Sequence, residues 1–151
     1  MSTNFGSLLS RLFVAEYNCI VCGGELHRPN RYRLCGACYG MRFEVLREKA
    51  CLKCGKMLLA EEEYCLDCQN HEKHFDRAIS AVTYTEAAVS LVTALKFRGK
   101  KYLADPMAKW MTDRFLELEI AADLVIPVPL HPNRRKERGY NQSELLAEVI
   151  A

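Results

Sequence analysis

The clearest periodic patterns lie in the second half of the chain. Residues 77–84 (RAISAVTY) alternate between apolar and polar positions and are rich in β-favouring residues, so they predict a β-strand. Residues 86–97 then predict an α-helix, because four apolar side chains recur at helical spacing: Ala88, Leu91, Val92 and Leu95. A strand and a helix are therefore expected in succession.

A second helix and a second strand follow. Asp105 and Pro106 predict the helix start, with Asp105 as the N-cap and Pro106 at the first helical position, where its missing N–H costs nothing. We interpret the apolar face of this helix as core, and it consists of Met107, Trp110, Met111, Phe115 and Leu118. Residues 123–129 (DLVIPVP) are a short apolar run bounded by prolines, which is typical of a buried parallel strand that ends at a loop.

The segment after that run is strongly basic. Residues 130–140 (LHPNRRKERGY) predict a loop in which Gly139 permits positive φ at the turn back. Four cations stand there against the single Glu137: Arg134, Arg135, Lys136 and Arg138. Asn141, with Glu144 three positions later, has the pattern of an N-cap, so another helix is expected to begin there.

A cationic loop between a strand end and a helix start predicts an anion site. Open α/β sheets bind ligands at this position, and the free N–H groups of the helix start favour negative charge. Guanidinium forks match phosphate oxygens, so we expect Gly139 and Asn141 to join the four cations in binding phosphate. A weaker basic cluster surrounds Gly99 and consists of Lys96, Arg98, Lys100 and Lys101. The two clusters could form one basic face in which Lys96 and Arg98 also bind phosphate, and the alternative is a solvated loop without a ligand.

The eight cysteines form four C-x2-C pairs, all between positions 19 and 68. The pairs are Cys19/Cys22, Cys35/Cys38, Cys51/Cys54 and Cys65/Cys68. Two thiolates three positions apart on a tight turn can bind one tetrahedral Zn²⁺, and two such turns complete a site. The spacing therefore predicts two zinc-ribbon-like units whose starts are 32 residues apart. Four thiolates leave no open position on the metal, so both sites are expected to be structural and the region to unfold without zinc.

Which pairs share an ion stays open from the spacing. Consecutive pairs can share an ion, or the first and third pairs can share one ion and the second and fourth the other. Buried or redox-active thiols are a further alternative that four regular pairs disfavour. We expect the nearby histidines, His27, His71 and His74, to lie outside the ligand sets.

Composition limits the remaining choices. The chain has 151 residues, half of them apolar, so it is expected to fold. Its net charge of +2 gives no global attraction for nucleic acid. No apolar run approaches the ~20 residues that cross a bilayer, and Arg11 interrupts the apolar start, so we expect a cytoplasmic protein without membrane insertion. We expect two modules: residues 1–72, a double zinc ribbon with a short N-terminal helix, and residues 73–151.

Taken together, these segments resemble the amino-terminal two-thirds of the ComF competence family, also called the GntX-like or amidophosphoribosyltransferase-like family. The resemblance includes the apolar residues 8–13 and the C-x2-C pairs, and then residues 74–84 and 95–99 (LKFRG). Its most specific parts are residues 125–132 (VIPVPLHP) and 138–142 (RGYNQ).

The resemblance implies a small zinc-ribbon module followed by a partial α/β domain like those of type I phosphoribosyltransferases. Residues 128–134 would occupy the pyrophosphate-loop position of that domain. It also implies handling of single-stranded DNA during natural transformation, other competence proteins as partners, and pyrophosphate or phosphoribosyl pyrophosphate (PRPP) as possible ligands. DNA would be held through its phosphates without base reading.

The chain departs from the family pattern near its end. It has no apolar strand ending in paired acidic residues and no Thr-Thr-Gly turn, the motif that would bind PRPP. It ends at residues 148–151 within an apolar helical pattern, so we expect a truncated chain, inactive by itself, whose second half is only marginally stable because two strands make a poor sheet. The first hypothesis is a phosphate-binding competence protein. The alternative is a phosphoribosyltransferase of which this chain carries only the pyrophosphate half. In a third hypothesis, the zinc region docks proteins and the basic loop is incidental.

Overall fold

Among the residues that the structure describes, the regular elements are helices. The computed structural model describes residues 18–28, 30–42, 50–59 and 61–151. The helices within these residues are α1 (Gly36–Arg42), α2 (Leu66–Asn70), α3 (Glu86–Phe97), α4 (Ala104–Glu117), α5 (Pro132–Arg138) and α6 (Gln142–Ile150). A 3₁₀ turn, Lys101–Leu103, leads into α4. The short helix expected at the N-terminus lies outside the described residues, and none of the described helices is long and apolar enough to cross a membrane.

The two cysteine-rich segments repeat the same turn. The Gly23 N–H donates to the Cys19 carbonyl, and the Gly55 N–H donates to the Cys51 carbonyl, both at 2.8 Å. Both glycines adopt positive φ, 74° and 70° respectively, which L side chains rarely do. An isolated antiparallel bridge closes each turn, between residues 18 and 25 and between residues 50 and 57. The first ribbon (residues 18–39) and the second ribbon (residues 50–69) are thus built alike.

In each ribbon, a backbone hydrogen bond connects the first C-x2-C turn to the residues just before the second. The Ile20 N–H donates to the Arg33 carbonyl, and the Leu52 N–H donates to the Glu63 carbonyl, both at 2.9 Å. Arg33 and Glu63 are 30 positions apart, whereas Ile20 and Leu52 are 32 apart. The difference arises because the second ribbon has two residues fewer between its cysteine pairs. These bonds fix which residues of the two ribbons correspond.

The main apolar core joins α3, α4 and α6. Its buried residues are Leu91, Ala94, Leu95, Leu103, Ala104 and Tyr140. The predicted helix at 86–97 is confirmed, and Thr85 caps it by accepting a hydrogen bond from the Ala88 N–H. Ile20 and Val21 of the first ribbon pack against this core. The first C-x2-C turn of the first ribbon therefore packs directly against the helical core.

Helix α4 begins earlier than predicted. Leu103 occupies the N-cap position, so the prediction of Asp105 as the N-cap is wrong. The preceding 3₁₀ turn already directs the chain into the helix, and Asp105 and Pro106 both fall within its first turn. Pro106 costs no hydrogen bond there, since N–H groups of the first turn have no helical partner. The Asp105 carboxylate instead pairs with Lys109 at 2.7 Å.

The basic segment is a helix where a loop was predicted. Pro132 stands at the start of α5, and the His131 side chain caps it by accepting from the Asn133 N–H. Gly139 ends the helix in the left-handed region with φ 79°, as the sequence predicted. The prediction of Asn141 as the N-cap of α6 is also confirmed, because its side chain accepts from the Ser143 N–H at 3.0 Å.

Neither predicted strand forms among the described residues. Within residues 77–84, the Ala78 N–H donates to the Lys53 carbonyl at 2.8 Å, so this segment is attached to the second ribbon. Residues 123–129 run without regular structure, and Leu124 and Ile126 remain 72% and 74% exposed. A strand needs a neighbouring strand for its backbone hydrogen bonds, and the described residues supply none to either segment. The α/β part of the predicted fold class is therefore not confirmed.

Candidate metal centres and basic face

The cysteines of each ribbon converge into one cage. The first cage contains Cys19, Cys22, Cys35 and Cys38, and the second contains Cys51, Cys54, Cys65 and Cys68. The sulfur atoms of each cage lie within 4.8 Å of one another. The sulfurs of Cys22 and Cys35 are 3.7 Å apart, as are those of Cys54 and Cys65. Four sulfurs placed 2.3 Å from Zn²⁺ stand roughly 3.8 Å apart, so the donor sets fit two structural zinc sites.

The cages settle the two questions that the spacing left open. Consecutive pairs share a cage, so the cross-braced arrangement is wrong. All eight thiols are free, and separations of 3.7 Å exclude disulfides at the measured pairs. The donor groups found among the described residues contain no histidine, as predicted. His71 instead lies 3.2 Å from the exposed Asp67 carboxylate.

The backbone around each cage favours a thiolate at its first cysteine. Burial raises the pKa of Cys19, but backbone hydrogen bonds at Cys22, Cys35 and Val21 outweigh it and lower that pKa to about 6. In the second cage, burial likewise raises the pKa of Cys51, but backbone hydrogen bonds outweigh it and lower that pKa to about 6. Burial and the neighbouring thiols raise the pKa of Cys38 to about 12. Zinc binding therefore has to displace protons from the cage, as is usual for thiolate sites.

The first ribbon is fixed to α4 by a polar cluster that the sequence did not reveal. Arg31 donates to the Asp113 carboxylate at 2.7 Å, and the Tyr32 hydroxyl donates to the same carboxylate. The Tyr32 ring lies 6.1 Å from that of Trp110, centroid to centroid. Burial raises the pKa of Asp113, but the hydrogen bonds from Tyr32 and Arg31 and the Arg31 charge outweigh it, so the pKa is lowered.

The second ribbon is attached to the segment that follows it. The Ser80 hydroxyl donates to the Gly55 carbonyl at 3.1 Å, beside the backbone bond between Ala78 and Lys53. The Lys53 ammonium also lies 5.5 Å from the Phe75 ring centroid. A cavity of about 490 Å³ lies between this ribbon and residues 77–84. Both ribbons thus use their first C-x2-C turn to contact the rest of the chain.

The predicted phosphate-binding residues lie on and around α5. The side chains of Arg134 and Arg135 are 64% and 57% exposed, and they pair with Glu137 and Glu144. Lys136 is also exposed, whereas Arg138 is partly buried and donates to the Gln142 side chain. Surface ion pairs of this kind contribute little to stability. Arg134 and Arg135 can therefore exchange their carboxylates for phosphate oxygens at low cost.

Asn141 has a different position from the other predicted residues. It is buried, with 1% of its surface exposed, and its side-chain amide donates to the Val128 carbonyl at 3.0 Å. Its oxygen caps α6. Asn141 therefore holds the extended segment against the start of α6, and it has no free polar group on the surface.

Aromatic residues bring the two basic clusters together. The Tyr140 hydroxyl donates to the Leu95 carbonyl near the end of α3. The Lys101 ammonium lies 4.9 Å from the Tyr140 ring centroid, and the Arg138 guanidinium lies 5.1 Å from the ring centroid of Phe97, which stands between Lys96 and Arg98. The residues around Gly99 and those of α5 therefore lie next to each other. We call this surface the basic face: Lys96, Arg98, Lys100, Lys101, Arg134, Arg135, Lys136 and Arg138.

Comparison with known proteins gives the family. Residues 8–69 match the double zinc ribbon domain, the class of protein that the two cages define. The chain is similar to competence protein F of Haemophilus influenzae, at 27% identity over 142 residues, which are 90% of this chain and 60% of that protein. It is also similar to competence protein ComFC of Streptococcus pneumoniae, at 33% identity over 146 residues, which are 87% and 63% of the two chains. Together these matches support assignment of the chain to the ComF competence family.

A further relative carries a different name. The DNA utilization protein YhgH of Salmonella typhimurium is 28% identical over 127 residues, which cover 81% of this chain and 55% of that protein. The chain thus spans between 55% and 63% of the length of these relatives. No solved structure matches the chain.

Proposed function

We propose that this chain takes part in the handling of single-stranded DNA during natural transformation and that its basic face binds the DNA phosphates. The names of its relatives, two competence proteins and a DNA utilization protein, support the role. We further propose that residues 1–72 form the zinc module and that residues 73–151 form the first part of a phosphoribosyltransferase-like domain in which the basic face binds DNA without catalysis. The compartment that fits this role is the cytoplasm.

The observation that carries the proposal is the contact between the two basic clusters. Tyr140 contacts Lys101 and the Leu95 carbonyl, and Phe97 contacts Arg138, so the two segments that carry the eight cations meet at these aromatic rings. Glu137 and Glu144 are the carboxylates that pair with this surface among the described residues, so positive charge dominates. A flexible strand with one charge per nucleotide can follow such a surface without a specific base contact.

Binding to an oligothymidylate over a salt series tests the proposal. Each phosphate contact contributes about 0.7 to the slope of log K against log salt for single strands. The variant R134Q/R135Q/K136Q/R138Q is expected to bind more weakly and to lose up to about 3 from that slope. A matched control, R28Q/K56Q/R77Q/K109Q, removes the same charge elsewhere and should leave the slope nearly unchanged. Equal slopes for the wild type and the α5 variant would refute phosphate binding at this face.

Pyrophosphate provides a second arm of the same experiment. The extended segment before α5 and the cations of α5 would also suit a pyrophosphate group, which is the ligand of the phosphoribosyltransferase alternative. Competition of pyrophosphate with DNA, abolished in the α5 variant, would place both anions on one surface. If pyrophosphate binds tightly and the oligonucleotide does not bind, the alternative replaces the proposal.

A further inference from the structure

The second ribbon carries a surface that corresponds to the one by which the first ribbon binds α4. The hydrogen bond of Leu52 to Glu63 repeats that of Ile20 to Arg33, so residues 61–63 occupy the positions of residues 31–33. A side-chain contact repeats as well. In the first ribbon, Tyr32 stacks on Tyr39 at 5.8 Å between ring centroids. In the second ribbon, Glu62 takes the position of Tyr32 and Gln69 that of Tyr39, and the Gln69 amide lies 3.5 Å from the Glu62 carboxylate.

The first ribbon uses this surface to bind a helix. Arg31 and Tyr32 both contact the Asp113 carboxylate of α4, and Tyr32 also lies against Trp110. Arg33 stands 5.3 Å from the centroid of Tyr102, in the turn before α4. The surface therefore combines positive charge, which meets an acidic helix residue, with aromatic contact.

The equivalent surface of the second ribbon is acidic and exposed. The residues at the three positions are Glu61, Glu62 and Glu63. All three are exposed, and within the part of the chain that the structure describes none of them forms an ion pair. Apolar side chains next to them in the ribbon are also exposed: Leu52 at 50%, Tyr64 at 41% and Leu66 at 70%. We call these six residues the acidic docking surface.

We propose that the acidic docking surface binds a helix of a partner protein that carries Lys or Arg beside apolar side chains. Charge complementarity carries this choice, because the basic position of the first ribbon meets the acidic side chain of Asp113, and the acidic position of the second ribbon should meet basic side chains. Three adjacent carboxylates repel a phosphate backbone, so the surface is separate from the basic face proposed to bind DNA. The exposed leucines and tyrosine would contact the apolar side of the helix, as in other helix-binding surfaces.

The test uses a helix of known sequence as the probe. A stapled peptide with residues 104–117 of this chain, in which Asp113→Lys reverses the charge that meets the ribbon, is titrated with the zinc-loaded full chain and followed by fluorescence anisotropy. The unchanged peptide with Asp113 is the comparison probe. The Lys peptide is expected to bind at least about tenfold more tightly, since opposite charges replace like charges at the interface.

Charge-reversal variants locate the binding. E61K/E62K/E63K is expected to lose the preference for the Lys peptide, whereas the control E25K/E72K/E148K, with the same change in net charge, retains it. Zinc content measured on each variant confirms that its ribbons are intact. Equal affinity of the two peptides for the wild type would overturn the proposal, and so would a preference that survives in E61K/E62K/E63K. Self-association of the wild-type chain in sedimentation, lost in that variant, would assign the surface to a second copy and overturn the choice of partner.

Discussion

Tyr32 of the first zinc ribbon and Asp113 of α4 lie 81 positions apart in the sequence, and the Tyr32 hydroxyl donates a hydrogen bond to the Asp113 carboxylate. Arg31 donates to the same carboxylate with both Nε and a terminal nitrogen. A zinc-stabilised turn is thereby connected to the helical core through one acidic side chain. We therefore expect the stability of α4 to depend on the first metal site and on the pH.

The Asp113 carboxylate should contribute stability at neutral pH and lose it only in acid. Its pKa is lowered in the folded chain, so folding favours the charged form above the unfolded pKa, near 4, and the benefit disappears as the pH falls through the folded value. We expect D113N to lower the free energy of unfolding by about 1 kcal/mol at pH 7, after discounting for partial exposure. Urea unfolding of both proteins from pH 8 to pH 4 measures the difference.

The role of Asp113 is tested by how the difference in free energy of unfolding between wild type and D113N changes with pH. This difference should stay constant down to about pH 5 and shrink below about pH 4. The control D105N removes a carboxylate that pairs with Lys109 on the surface of α4, and it should cost at most about 0.5 kcal/mol. A difference between wild type and D113N that vanishes between pH 7 and pH 5 contradicts the role given to Asp113.

The two zinc sites should differ in their effect on the helical core. Trp110 is the only tryptophan of the chain, and it lies against Tyr32 of the first ribbon. We expect C22S/C35S to shift Trp110 emission to longer wavelength, because the first ribbon no longer shields it from water. C54S/C65S should leave the emission nearly unchanged. Native mass spectrometry should find one zinc ion in each variant and two in the wild type. Equal emission shifts in both variants would contradict the prediction that the first zinc site affects the helical core more than the second.

Local patterns predicted the parts of this structure that depend on neighbouring residues. The C-x2-C spacing specified the zinc ligands, since each pair needs only one tight turn to reach a common ion. The helix at 86–97 and the cap at Asn141 were likewise readable, because helix periodicity and capping act within a few positions. Helix α5 was missed because five of its seven residues are charged and the helix shows no apolar periodicity.

Contacts between distant residues were not readable in the same way. No local pattern connects Tyr32 with Asp113, or Tyr140 with the Leu95 carbonyl. The alternation in residues 77–84 indicates which side chains would share a face if a strand formed there. A strand forms, however, only where another strand supplies backbone hydrogen bonds. Ala78 finds its backbone partner in Lys53 of the second ribbon instead. The cysteine spacing already aligns Glu62 with Tyr32, but only the structure shows that Tyr32 contacts α4.

Gly55 should tolerate substitution less well than Gly23, although the two occupy the same turn position. Both have positive φ, so an alanine at either position costs about 1 kcal/mol in backbone strain. A Cβ at Gly55 would also stand 3.0 Å from the Ala78 carbonyl oxygen and 3.0 Å from the Ser80 hydroxyl, whereas a Cβ at Gly23 meets nothing within 4 Å. We expect G55A to cost about 1 kcal/mol more than G23A, measured by urea unfolding of the zinc-loaded proteins. Equal costs would show that residues 78–80 do not pack on the second ribbon.

The Tyr140 hydroxyl should stabilise the junction between the two basic clusters. It is the buried donor to the Leu95 carbonyl, and Tyr140 belongs to the main apolar core. Y140F keeps the ring and removes the hydrogen bond, so we expect a loss of about 1 to 2 kcal/mol in the free energy of unfolding. Y102F is the matched control, since Tyr102 is 49% exposed and a surface substitution of this kind usually changes stability by less than about 0.5 kcal/mol. Because the hydroxyl connects α3 to the start of α6, Y140F should also weaken binding of an oligothymidylate without altering the slope of log K against log salt, as all eight cations remain. Weaker DNA binding with unchanged stability and an unchanged slope would mean that the Tyr140 hydroxyl contacts the DNA itself and does not act by positioning the cations.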